Sequence, residues 1–221
     1  MQHDIQQLES ELAAAEERMK RLHFPGRKKQ EEVPQDTYDD ASEALLKAER
    51  RLAAAKGEPY AIPADFPVDW EPGAPLPILL TSDYKLFLIF CVQDKVDWSN
   101  EQQMAQRFEK LFDQRCVVTF LGCADTRFGC PNEEVWHGHY LDGHGQDGNE
   151  AQIVVHSPWL NEVMAINSVH SDYRPERWTD KKHYIFWFHD TTFECLAEGL
   201  TWEVVTEPID QILVKLTKEL I

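Results

Sequence analysis

Cysteine is scarce in this 221-residue chain: Cys91, Cys116, Cys123, Cys130 and Cys195 are all there is, an odd number thinly spread. Such usage fits reduced thiols better than a disulfide framework. Positive charge is scarce too. Lys and Arg number 22 against 39 Asp and Glu, a net of −17, and this surplus repels phosphate backbones and anionic lipid. Neither nucleic acid nor a membrane is an expected partner. No window approaches the roughly 20 apolar residues that span a bilayer. The opening Met1-Gln2-His3-Asp4-Ile5 lacks the basic-then-apolar profile of a secretory signal. A cytoplasmic protein is expected. Absent as well are the phosphate-binding G-x-x-x-x-G-K-[ST], the dinucleotide turn G-x-G-x-x-G and the nucleophile elbow G-x-S-x-G, so kinase, dehydrogenase and ordinary hydrolase readings fall away. With 43% apolar and 28% charged residues, the composition is that of a folded chain, not a collagenous or disordered one.

What is present begins with two matching helical patterns. Ile5, Leu8, Leu12, Ala15, Met19 and Leu22 recur at alternating gaps of three and four, and Tyr38, Ala41, Leu45, Ala48, Leu52 and Ala55 repeat the rhythm, which is that of a coiled-coil seam. Pro25, Gly26 and Pro34 between them cannot continue a helix. An antiparallel helical hairpin over residues 1–57 follows. Such an arm either folds onto its own domain or joins another copy or another protein through residues 3–55. The basic run Arg18, Lys20, Arg21, Arg27, Lys28 and Lys29 near its tip reads as a solvated face, with a contact to an acidic partner as the alternative.

Residues 58–77 carry Pro59, Pro63, Pro67, Pro72, Pro75 and Pro77, which makes them extended and unsuited to helix or inner strand. Tyr60, Ile62, Phe66, Val68 and Trp70 lie among the prolines, so the stretch is expected to wrap along the domain. The arm through Gly57 holds 12 acidic and 10 basic residues, and the remainder 27 and 12, so −15 of the net −17 belongs to the globular part.

Over 78–221, apolar β-branched runs alternate with helical patterns. Strands are predicted at 84–93, 116–121, 151–156, 183–188, 192–197 and 201–205, the last three as an antiparallel meander. Helices are predicted at 99–112, from Ser157-Pro158 to about His170, and from 206 to the end through Ile209, Ile212, Leu213, Leu216 and Leu220. Pro131 can open a short helical turn. The fold class is α+β, the helical hairpin being followed by a mixed, largely antiparallel sheet of about five to six strands packed with helices.

Seven of nine histidines fall between residues 137 and 189. Three lie in Trp136-His137-Gly138-His139-Tyr140-Leu141-Asp142-Gly143-His144. His137, His139 and His144 are therefore candidate ligands for a divalent metal such as zinc. Cys123 and Cys130, six residues between them, could add thiolates. The nonapeptide resembles a distorted H-x-H-x-D-H signature of the metallo-β-lactamase family, with one residue inserted before Asp142 and another before His144; those insertions would misdirect both later ligands. The alternative is a polar, glycine-punctuated loop with its histidines facing solvent.

The second constellation is Phe188-His189-Asp190-Thr191-Thr192-Phe193-Glu194-Cys195. Alternation puts His183, Ile185, Trp187 and His189 on one face of the first strand. On the second it separates Thr192, Glu194 and Leu196 from Phe193, Cys195 and Ala197. His189 can thus serve as a general base oriented by Asp190 beside Glu194, or pair with Cys195 as a nucleophile, but not both. Otherwise Asp190 and the threonines simply build a turn. The segment, with Pro131-Asn132-Glu133-Glu134 upstream, resembles uncharacterised bacterial proteins with a similar F-H-D-x-T-F-E-C stretch near the carboxyl terminus, a resemblance that implies no activity.

Three functional expectations result. The first is a protein-interaction or small-ligand-binding protein that self-associates or docks through its hairpin. The second is a hydrolase- or lyase-type enzyme using His189, Asp190 and Glu194, with metal assistance if the histidines assemble. The third is an acidic inhibitor or immunity protein masking a basic partner.

Overall fold

A computed structural model describes residues 2–23, 35–93 and 113–220. Its elements are α1 (Gln2–His23), α2 (Gln35–Lys56), β1 (Tyr60–Pro63), β2 (Ile78–Thr81), β3 (Leu86–Cys91), β4 (Arg115–Leu121), β5 (Asp125–Gly129), β6 (Gln152–Val155), α3 (Pro158–Asn167), β7 (Lys182–Trp187), β8 (Thr192–Ala197), β9 (Gly199–Val205) and α4 (Ile209–Leu220). Single 3₁₀ turns occupy Glu133–Gly138 and Pro175–Trp178. The helix expected at 99–112 lies outside the described residues, as do Arg27, Lys28 and Lys29. No helix among the described residues is long and apolar enough to cross a membrane.

The fold is α+β as expected, but its strands form two sheets rather than one. β1-β6-β7-β8-β5 make a five-stranded sheet and β2-β3-β4-β9 a four-stranded one, antiparallel throughout. Alternation sends Leu86, Leu88 and Phe90 of β3, with Cys116, Val118 and Phe120 of β4, against Tyr184 and Phe186 of β7 and Phe193, Cys195 and Ala197 of β8. Phe87, Ile89 and Val117 face the other way, onto Ile212 and Leu216 of α4. Burial on both faces explains why β3 reads as an unbroken apolar run. Phe66 and Trp70, from the proline-rich stretch, enter the space between the sheets, their rings 5.4 Å and 5.3 Å from Phe186 and Phe188. β1 belongs to that same stretch and is an edge strand, the place where a sheet tolerates its Pro63.

The meander expected at the carboxyl terminus does not form. β7 and β8 pair, but β9 crosses to the other sheet and pairs with β4, while β5 takes the free edge of β8. The crossover is secured where Glu198 N–H donates to Leu121 O at 2.9 Å and Ala124 N–H donates to Leu196 O at 2.8 Å.

The helical hairpin packs on itself and then onto the domain through α2. Gly57, at φ +71°, ends α2, its N–H donating to Ala54 O and that of Glu58 to Ala53 O, the left-handed cap that glycine permits. In the last turn Ala53 is buried and the seam's Ala55 is exposed. Arg50 latches the base: Nε donates to Ala61 O at 2.8 Å, and Nη2 to Gly145 O at 3.1 Å and to Glu150 Oε1 at 3.0 Å. Glu49 accepts the Gly145 N–H at 2.9 Å. A Cβ on Gly145, whose φ is +83°, would lie 2.4 Å from Arg50 Cγ, so this approach requires glycine.

Candidate functional site

The β7–β8 hairpin closes through Phe188 N–H donating to Thr191 O at 2.9 Å, which puts His189 and Asp190 at its apex. The turn Glu133–Gly138 is drawn against that apex, since Glu133 N–H donates to His189 O at 3.1 Å and Thr192 Oγ1 donates to Pro131 O at 2.8 Å. The two segments, distant in sequence, thus share a cleft of about 500 Å³ whose lining includes Asp69, Trp70, Glu133, Trp136, Asn149 and His189. Trp187 lies beneath it.

Both ring nitrogens of His189 meet carboxylates: Nδ1 lies 3.0 Å from Asp190 Oδ1 and Nε2 lies 3.0 Å from Glu133 Oε1. The bond to Asp190, reinforced by the charges of Glu133, Asp190 and Glu134, holds its imidazole above the ordinary histidine range. Such a ring is best served as an imidazolium donating twice, and it has no lone pair left over to accept a proton. Because its folded value is raised, the stabilisation from these bonds is complete below the unfolded value and is lost as pH rises through the folded one.

Glu194 is not part of this group. On β8 it faces Ile185, and its Oε2 lies 2.8 Å from Nε2 of His183, whose Nδ1 lies 2.9 Å from Ser157 Oγ. Ser157 caps α3 by accepting the Leu160 N–H at 3.0 Å, and its Oγ and the Glu194 carboxylate hold the His183 ring between them. Both ring nitrogens of His183 are thereby partnered, as buried groups require. The His183 ring is covered by Trp159, 5.0 Å away, and Arg127 sits 4.1 Å over that tryptophan. Burial pushes the Glu194 carboxyl up, but the bond and charge of His183, with Arg127 and His139, outweigh it and leave the carboxyl below its ordinary range.

The other candidates are dispersed. Cys195 points between the sheets, fully buried, its sulfur 3.2 Å from that of Cys123 and away from His189. His137 is exposed. His139 is edge-on to Trp187 at 4.9 Å, and burial pushes it down. His144 Nε2 instead meets Glu58 at 3.3 Å, at the foot of the arm. The three histidines expected to gather at a metal do not converge: His137 lies in the 3₁₀ turn, His139 packs on Trp187 and His144 is drawn to Glu58. Among the described residues no group of three His, Cys, Asp or Glu side chains is placed to hold a metal ion.

Sequence reasoning missed Ser157, His183, Glu133 and Trp136. A partial signal existed for the first two: alternation fixed which residues share a face within each strand and Ser157 was a helix start, but only the register pairing Ile185 with Glu194 brings His183 and Glu194 to one face. None existed for Glu133 and Trp136, which reach the cleft only through the fold. Compared with protein-family models, curated proteins and solved structures, the chain has no match in any of the three.

Proposed function

We propose that the protein binds a small organic cation in the cleft at the β7–β8 apex, without turnover. The observation that carries this reading is the double engagement of His189 by Asp190 and Glu133, which makes its imidazole part of the wall and not a free base. Asp69 and Glu133 lend the cleft negative charge, Trp136 presents an aromatic surface, and a cation gains from both. Trp136 Nε1 is buried with no hydrogen-bond partner among the described residues, a donor that a ligand hydroxyl would satisfy.

Choline and its neutral carbon isostere are suitable probes, read by tryptophan fluorescence and calorimetry. Choline binds and the isostere binds more weakly; Glu133→Gln weakens choline about fivefold, the worth of one exposed ion pair of about 1 kcal/mol. Affinity for choline rises with pH as it passes through the raised folded titration of His189 and the ring loses its positive charge, and His189→Gln flattens that rise. Equal binding of choline and isostere, or binding of neither, removes the proposal.

A second reading, docking through the arm, is favoured by the state of α1. Its seam residues Ile5, Leu8, Leu12, Ala15, Met19 and Leu22 are only half-buried against α2, leaving apolar edges for a second copy of the hairpin. Sedimentation of the full chain should then give twice the monomer mass, shifting to the monomer with Leu8→Glu; a monomer at every concentration ends this reading.

A further inference from the structure

The Cys123–Cys195 pair lies outside the cleft, whose lining includes neither residue. Gly122–Ala124 carries the chain from the four-stranded to the five-stranded sheet, and Gly122 adopts φ +58° to make the bend. The bend is pinned on both sides by the backbone bonds Glu198 to Leu121 and Ala124 to Leu196, so Cys123 is held directly over β8. There its sulfur lies 3.2 Å from that of Cys195, inside ordinary sulfur–sulfur contact. Only about 1.2 Å of approach separates this from a covalent bond.

The two thiols are unequal. Cys123 is half-buried, whereas Cys195 is sealed between the sheets. Lys181 Nζ lies beside the bend, 2.7 Å from Gly122 O and 3.1 Å from Glu198 Oε1. The hydrogen bond from Cys195 pulls the Cys123 thiol below its ordinary range, against burial and with help from Lys181. The same bond, with burial, pushes Cys195 far up. The half-buried sulfur is thus the more readily ionised and the sealed one the less, the division of labour of an attacking and a resolving cysteine.

We propose that Cys123 and Cys195 form a peroxide-sensitive dithiol, oxidised to a disulfide that ties the β4–β5 crossover to β8. The Cys123 thiolate attacks the O–O bond of hydrogen peroxide; an S–O bond forms, and hydroxide leaves and takes up a proton as water. The Cys195 sulfur then attacks the resulting sulfenic acid, an S–S bond forms, the S–O bond breaks, and a second water departs with the Cys195 proton. Two thiols are oxidised by two electrons and one peroxide is reduced to two waters. Exposed Cys130 serves as the internal control.

The test is treatment of the reduced full chain with stoichiometric hydrogen peroxide, followed by intact mass and peptide mapping after alkylation. Expected are a loss of two mass units, a Cys123–Cys195 linked peptide, and consumption of Cys123 about tenfold or more faster than Cys130. Thermal midpoint should rise on oxidation and return with dithiothreitol. Cys123→Ser, at the half-buried position, should abolish the mass change while remaining folded; in Cys195→Ala, which changes the core, Cys123 should instead be trapped by dimedone as the sulfenic acid. An unchanged mass, or oxidation confined to Cys130, overturns the proposal.

Discussion

His183→Ala is expected to destabilise the protein by about 3–5 kcal/mol, read as a shift of the urea unfolding midpoint. The variant leaves the Glu194 carboxylate, only 8% exposed, without the imidazole 2.8 Å away that compensates its burial. Removing one member of a buried pair costs more than the pair contributes, because the survivor remains desolvated and unpaired. His183→Phe combined with Glu194→Leu should therefore recover much of the loss, since apolar replacement of both partners abolishes the penalty along with the interaction. A loss below about 1 kcal/mol for His183→Ala would show that Glu194 reaches water once its partner is gone. The pair also sets an acid limit. Glu194 titrates lower folded than unfolded, so its contribution is present above the unfolded value and disappears as pH falls through the folded one. Glu194→Gln should flatten the acid limb of a stability-versus-pH curve.

Phe186→Ala should cost a similar amount, about 3–5 kcal/mol, with loss of near-ultraviolet dichroism ahead of far-ultraviolet signal if the sheets loosen before they melt. The Phe186 ring is fully buried and stands 5.4 Å from Phe66, 5.8 Å from Trp70, 5.9 Å from Phe193 and 6.0 Å from Phe120. It touches both sheets and the wrapping stretch at once, so the cavity left behind cannot collapse without moving all three. A surface change such as Tyr84→Ala, at a residue 91% exposed, should stay within about 0.5 kcal/mol.

These two expectations mark how unevenly the molecule was legible. The hairpin, the run Leu86–Cys91 and the helix after Ser157 could be read locally, because a seam, an unbroken apolar stretch and a capping serine each act within a few residues. β1, β2 and β5 escaped notice. Tyr60–Pro63 and Asp125–Gly129 are edge strands whose sequences carry proline, aspartate and glycine, and they are extended because of their neighbours, not their own preference. The division into two sheets was hidden for the same reason: nothing in Glu198-Gly199 says that the chain leaves one sheet for the other. That becomes visible only when Leu121 O is there to receive the Glu198 N–H.

The candidate site divides along the same line. Alternation by itself placed Glu194 and Cys195 on opposite faces of their strand, and the carboxylate–imidazole richness of residues 137–194 was plain in the sequence. Which acid meets which imidazole was decided by the tertiary structure alone: Glu133 came to His189 in place of Glu194, Ser157 and Glu194 enclosed His183, and Cys195 turned to Cys123. The physical reason is one of range. Periodicity and capping are governed by forces between residues a turn or a pleat apart, whereas a hydrogen bond depends on ångström placement of groups that only strand register and sheet packing can bring together.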